Sequence, residues 1–154
     1  MILDVQNLFD DAKDFNGIGA GNYVSTNAID LWGSAAAPSI PQGGTVIKDM
    51  GRTPVELLCQ VITTFTSGGA PTLQIQLIGA TASDLTTGQL VYTETAALLA
   101  LATLVAGYKF RVAIPPGITL RYLGLRYVVL TAAYTAGKLT SGITFNDQTM
   151  PFVG

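Results

Sequence analysis

"RYLGLRYVVL", residues 121–130, has the alternation of a strand but is apolar on both faces. Side chains of a strand point alternately to its two sides. The odd positions give Arg121, Leu123, Leu125, Tyr127 and Val129; the even ones, from 120, give Leu120, Tyr122, Gly124, Arg126, Val128 and Leu130. The odd set is the better core face, with Arg121 near its end. The even set still carries Leu, Tyr and Val around one Arg, so something should cover it. Two readings stand. The strand lies between two layers of one domain, or its even face meets another subunit. Tyr and Arg suit the second reading, because both are enriched in interfaces and uncommon in dry cores. Leu120, Tyr122, Arg126 and Val128 are therefore the candidate contact residues.

Working outward, the whole segment Thr119–Ala132 reads as the longest strand. Before it, "GYKFRVAIPPG" sets Phe110, Val112 and Ile114 against Lys109, Arg111 and Ala113, and the Pro-Pro-Gly ends the run. Pro54–Thr66 has Val55, Leu57, Cys59, Val61 and Phe65 on one face, which is the period of a strand. "SGGAP", 67–71, is turn chemistry, and Leu73, Ile75 and Leu77 then alternate with Thr72, Gln74 and Gln76, so the two runs read as a hairpin. Tyr23–Leu31 reads as a first strand, Leu90–Thr95 as a short one and Gly142–Phe145 as the last. Ala96–Ala106 fits a helix or an irregular strand. Segments 32–44 and 79–89 read as loops, the first of them long. Residues 1–15 read as a short helix or an extended N-terminal arm, with the arm preferred. Many short strands between turn signals predict one all-β domain, a sandwich or barrel.

Composition narrows the function. The chain has 154 residues, enough for a sizeable core, and 49% of them are hydrophobic. Only 12% are charged, against about 25% in an ordinary domain, and so neutral a surface favours a partner. A net charge of −2 gives no basic footprint for nucleic acid. The acidic N-terminus does not resemble a signal peptide. The longest apolar run, Ala96–Gly107, falls short of the roughly 20 residues needed to span a bilayer. The expectation is a soluble protein made in a reducing cytoplasm, with no membrane or nucleic-acid partner.

The chemistry is mostly one of absences. There is no histidine, which removes Ser-His-Asp and Cys-His catalysis and the commonest metal ligand. The single cysteine, Cys59, falls on the apolar face of its strand and reads as a buried structural thiol. "GIGAG", 17–21, lacks the strand-loop-helix context of a phosphate loop and reads as a plain turn. Asp10, Asp11 and Asp14 lack the spacing of a calcium loop and read as a solvated acidic surface. Trp32, beside a Gly-rich loop, is a local packing residue or an interface anchor. No catalytic, cofactor or metal residues are expected, and the protein is expected not to be an enzyme.

Several stretches together resemble a known family. They are the start "MILDVQNLF", "TTFTSGGAPTLQIQL" at 63–77, "LATLVAGYKFRVAIPPG" followed by "LRYLGLRYVV", and "TAGKLTSGITF" at 135–145. Their order and spacing resemble the capsid cement (decoration) proteins of tailed bacteriophages, of the type carried on Bordetella podophage heads. The chain departs from that pattern in the 32–44 loop and in the C-terminal tail, 146–154. The resemblance implies a jelly-roll-like β-sandwich that binds without catalysis. It implies homo-oligomers on the outside of the phage head, in contact with the major capsid protein and holding its subunits together. The rival reading is a receptor- or glycan-binding sandwich of a phage tail.

Overall fold

A computed structural model describes residues 7–31 and 55–145. They form ten strands: β1 (Leu8–Asp14), β2 (Gly21–Val24), β3 (Ile29–Asp30), β4 (Val55–Thr66), β5 (Thr72–Ala80), β6 (Leu90–Glu94), β7 (Leu99–Ala100), β8 (Lys109–Ala113), β9 (Tyr122–Leu130) and β10 (Ala136–Phe145). One sheet has the order β1-β10-β4-β8. The other has β2-β9-β5-β6, with β3 also paired to β9 and β7 to β5. Every pairing is antiparallel.

β2 and β3 share one flank of β9, and β6 and β7 share one flank of β5, so each sheet offers four strand positions. The chain passes from one sheet to the other between β1 and β2, β3 and β4, β4 and β5, β7 and β8, β8 and β9, and β9 and β10. This is the topology of a jelly roll. The expected all-β sandwich is therefore the observed fold.

The hairpin expected between β4 and β5 is not there. β4 pairs with β10 and β8, and β5 pairs with β9 and β6. Residues 67–71 instead arch between the sheets. Three such arches stack at one end of the sandwich. The Phe15 N–H donates to Gly137 O, the Tyr134 N–H to Ile18 O and the Thr135 N–H to Thr66 O. Ser67 Oγ donates to Ala133 O at 2.6 Å. Beneath them Phe15, Phe65 and Tyr134 form a buried aromatic group with ring centroids 5.0–6.2 Å apart. Gly137 makes this possible: its φ is +143°, and a Cβ there would meet the Phe65 ring at 2.5 Å.

The core lies between the sheets. Leu57, Cys59, Val61 and Phe65 of β4 face Leu73, Ile75 and Leu77 of β5 and Leu123, Leu125, Tyr127 and Val129 of β9. Cys59 is buried, as expected, and desolvation pushes its thiol pKa up. "GIGAG" is a turn between β1 and β2, as expected.

Other expectations are corrected. Residues 8–14 are not an arm but an edge strand paired to β10, and Phe9 and Phe15 are fully buried. Asp10 is 0% exposed rather than solvated, while Asp11 and Asp14 do face solvent. The expected first strand is broken into β2 and β3, because the segment between them swings out to bond β1: the Asn27 N–H donates to Phe9 O. Ala96–Ala106 contains β7 and a turn. The closing strand starts at Ala136, earlier than expected. Residues 1–6, the whole 32–44 loop with Trp32, and the 146–154 tail lie outside the described residues.

Candidate interface

β9 occupies an inner position of its sheet, between β2/β3 and β5. Its odd face is core, with Leu123, Leu125, Tyr127 and Val129 fully buried. Its even face points away from the core and is covered unevenly. The structure thereby divides the four residues that alternation places together.

Leu120 leaves the set. The strand begins at Tyr122, and Leu120 lies in the turn before it. Its N–H donates to Tyr92 Oη at 3.1 Å, and its Cβ lies 3.0 Å from where a Cβ on Gly79 would stand. Gly79 pairs with inward-facing Leu123, so Leu120 sits on the core side. Alternation fails here because the extended backbone stops two residues short.

Tyr122 is on the outer face but belongs to a small cluster of its own. Ile78, Ala80 and Leu85 are buried there, with Tyr122, Val24 and Ala28 packed against them. β5 runs on to Ala80, so the expected 79–89 loop begins at Thr81, and it folds back over the sheet with Leu85 at φ +59°. Gly124 lies directly under it, and a Cβ at Gly124 would collide with the Leu85 side chain. The loop thus covers the Tyr122 end of the outer face. The Arg121 guanidinium stacks 4.9 Å from the Tyr122 ring and bonds Asp30 through Nε at 3.0 Å and Nη2 at 2.8 Å.

Arg126 sits at the rim of this cover. Its Nε donates to Gln76 Oε1 at 2.7 Å and its Nη1 to Gln89 Oε1 at 2.8 Å. Gln76 Nε2 in turn donates to Glu94 Oε2 at 2.6 Å, and Gln89 Nε2 donates to Leu85 O. The guanidinium is thereby held in one orientation by side chains from β5 and the loop. Planar, pre-bonded Arg side chains lose little freedom on meeting a partner.

Beyond Arg126 nothing among the described residues forms a second layer. Val128 is half-buried between its strand neighbours Gln74 and Asn22. Leu130, at the end of the same face and not among the candidate contact residues, is 40% exposed beside Thr72. Among the described residues the outer sheet face is therefore half closed by the 81–89 loop and half open, with Val128 and Leu130 on the open half and Arg126 between the two.

A second polar group spans the core itself. The Tyr127 hydroxyl donates to Asp10 Oδ2 at 2.7 Å and lies 3.0 Å from Ser141 Oγ. Thr26 donates to Asp10 Oδ1 from its N–H at 2.8 Å and its hydroxyl at 2.6 Å. Lys13 Nζ lies 3.5 Å from the same oxygen and donates to Val24 O. Burial, with Asp10 beside it, pushes the Tyr127 pKa well up. Asp10, Tyr127 and Ser141 are fully buried, and the group ties the two sheets together. Residues 17–143 match the model of a protein family, Bbp16, and no curated protein matches the chain.

Proposed function

The chain belongs to the Bbp16 family, and from that premise we propose that it is a phage protein of the cement type. It binds the outside of the head as a homo-oligomer and holds neighbouring major capsid subunits together, without catalysis and without a cofactor. The resemblance described above supports the capsid role.

The observation that supports the reading is the outer face of the β2-β9-β5-β6 sheet, half open among the described residues. Val128 and Leu130 offer apolar area next to an Arg126 already fixed by Gln76 and Gln89. Burying apolar area contributes roughly 25 cal/mol per Å², and association costs offset much of it. A cement protein overcomes those costs by gripping several subunits at once, so that each later contact is intramolecular. A surface with few charges also suits a contact that must persist as salt varies.

The test is to add purified protein to parent phage heads lacking it and to measure retention and head stability against heat. Saturable binding with a raised rupture temperature is the expected outcome. Heads that neither retain the protein nor gain stability would refute the proposal.

A further inference from the structure

Arg126 differs from the other arginines among the described residues. Arg111 lies 3.9 Å from Glu56, and Arg121 forms a two-point bond with Asp30. Arg126 has no ion pair among the described residues. The oxygens it meets, Gln76 Oε1 and Gln89 Oε1, belong to neutral amides.

Those amides are themselves fixed. Gln76 is 7% exposed, and its Nε2 donates to Gln74 Oε1 at 3.3 Å and to Glu94 Oε2, which turns its carbonyl oxygen to Arg126. Gln89 Nε2 donates to Leu85 O, which fixes its Oε1 in the same way. Nε and Nη1 of Arg126 are thereby engaged, and Nη2 makes no hydrogen bond among the described residues. A guanidinium presents its donors in a rigid fork that matches a carboxylate. Glu94 shares the row of Arg126 and Gln76 but is exposed, and it bonds the amide that stands between them rather than the guanidinium.

Val128 and Leu130 continue the same face beyond Arg126. A partner that covers them also dries the guanidinium, and a dried charge with no counter-charge is strongly unfavourable. We infer that Arg126 is the charge-reading residue of this face: its open Nη2 takes an aspartate or glutamate side chain of the major capsid subunit. Val128 and Leu130 supply apolar area, and the ion pair fixes orientation. Sealed from water, such a pair is screened little by salt. This deepens the function proposed above, by naming the chemistry of the partner, and rests on it.

The test uses parent phage heads lacking the protein. Arg126→Lys keeps a cation at the position and gives it a primary amine. A water-soluble carbodiimide joins that amine to a carboxylate in contact with it; an amide forms, and the carbodiimide takes up the water as a urea. The expected product, read by mass spectrometry, is a peptide in which position 126 is joined to an Asp or Glu of the major capsid subunit. Lys13, Lys109 and Lys138 belong to the other sheet, so their products are distinct. A merely structural Arg126 gives no such cross-link. Gln89→Glu is the second variant. It offers Arg126 a carboxylate from its own chain, and head retention is expected to fall by about tenfold with unchanged circular dichroism. Heads that hold the Arg126→Lys protein without a cross-link at 126, or that hold Gln89→Glu as tightly as wild type, overturn the carboxylate contact and leave head binding standing. If heads do not hold Arg126→Lys, the Gln89→Glu result decides alone. Wild-type protein that heads do not hold overturns both readings.

Discussion

The hydroxyl of Tyr127, in β9, donates to the fully buried carboxylate of Asp10, in β1, across 2.7 Å between the two sheets. A buried carboxylate is tolerable only when it is fully bonded, and Asp10 also receives the N–H and hydroxyl of Thr26. Tyr127→Phe should remove one charge-assisted bond and leave Ser141 Oγ less satisfied, at a cost of about 1.5–3 kcal/mol. Asp10→Ala should cost more, about 3–5 kcal/mol, because it strands several donors at once. Urea unfolding followed by circular dichroism measures both. Equal, small losses would mean that the tie is dispensable.

Alkaline pH should unfold the protein through three buried acids. Burial raises Tyr134 to about 12 and pushes Tyr127 and Cys59 up from their ordinary values of 10.0 and 9.0. In the unfolded chain these groups lose protons at their ordinary values, while the folded protein keeps them. Stability is therefore full below about pH 9 and falls as pH rises toward the folded values, by up to about 1.4 kcal/mol per pH unit for each group. Urea midpoints measured from pH 8 upward should decline. Tyr134→Phe should flatten the decline, since it removes a titrating group whose hydroxyl has no hydrogen-bond partner among the described residues.

Gly124 is the seat of Leu85, and filling it should lift the 81–89 loop. Gly124→Val puts carbon where the Leu85 methyl groups now sit. Overpacking of this kind costs about 1–3 kcal/mol. The main core, on the other side of β9, stays intact. The expected readout is a folded protein with new proteolytic cleavage within residues 81–89. Cleavage no different from wild type would show that the loop is held by its other bonds, such as Thr81 N–H to Thr87 O.

The strands were legible wherever one chain segment contained its own signal. Leu123, Leu125, Tyr127 and Val129 alternate toward the core because a strand with a buried face must. Sheet membership was not legible for β4 and β5. "SGGAP" suits any tight reversal, and the arch is selected by the neighbouring arches at Ile18 and Thr135. Asp10 looked solvated because its partners, Thr26 and Tyr127, lie 16 and 117 residues away. On the candidate face, alternation found Tyr122, Arg126 and Val128 but also took in Leu120. It could not show that Leu85 returns to cover Gly124.

That cover changes which substitution probes the proposed contact with the head. Tyr122→Ala would loosen the cluster of Ile78, Ala80 and Leu85, and Arg126→Glu would break the bonds to Gln76 and Gln89, so both confound stability with binding. Val128 is the cleaner site. It faces away from the core, half-buried only by its strand neighbours Gln74 and Asn22. Val128→Glu removes a β-branched residue from a strand, at a cost within about 1 kcal/mol. At a contact that excludes water, the same change leaves an unpaired carboxylate, worth several kcal/mol. Head retention should therefore fall by at least about thirtyfold, equivalent to a hot-spot loss of 2 kcal/mol. The urea midpoint should stay nearly unchanged, because the core on the other face of β9 is untouched. Full retention by Val128→Glu would move the contact with the head to another surface.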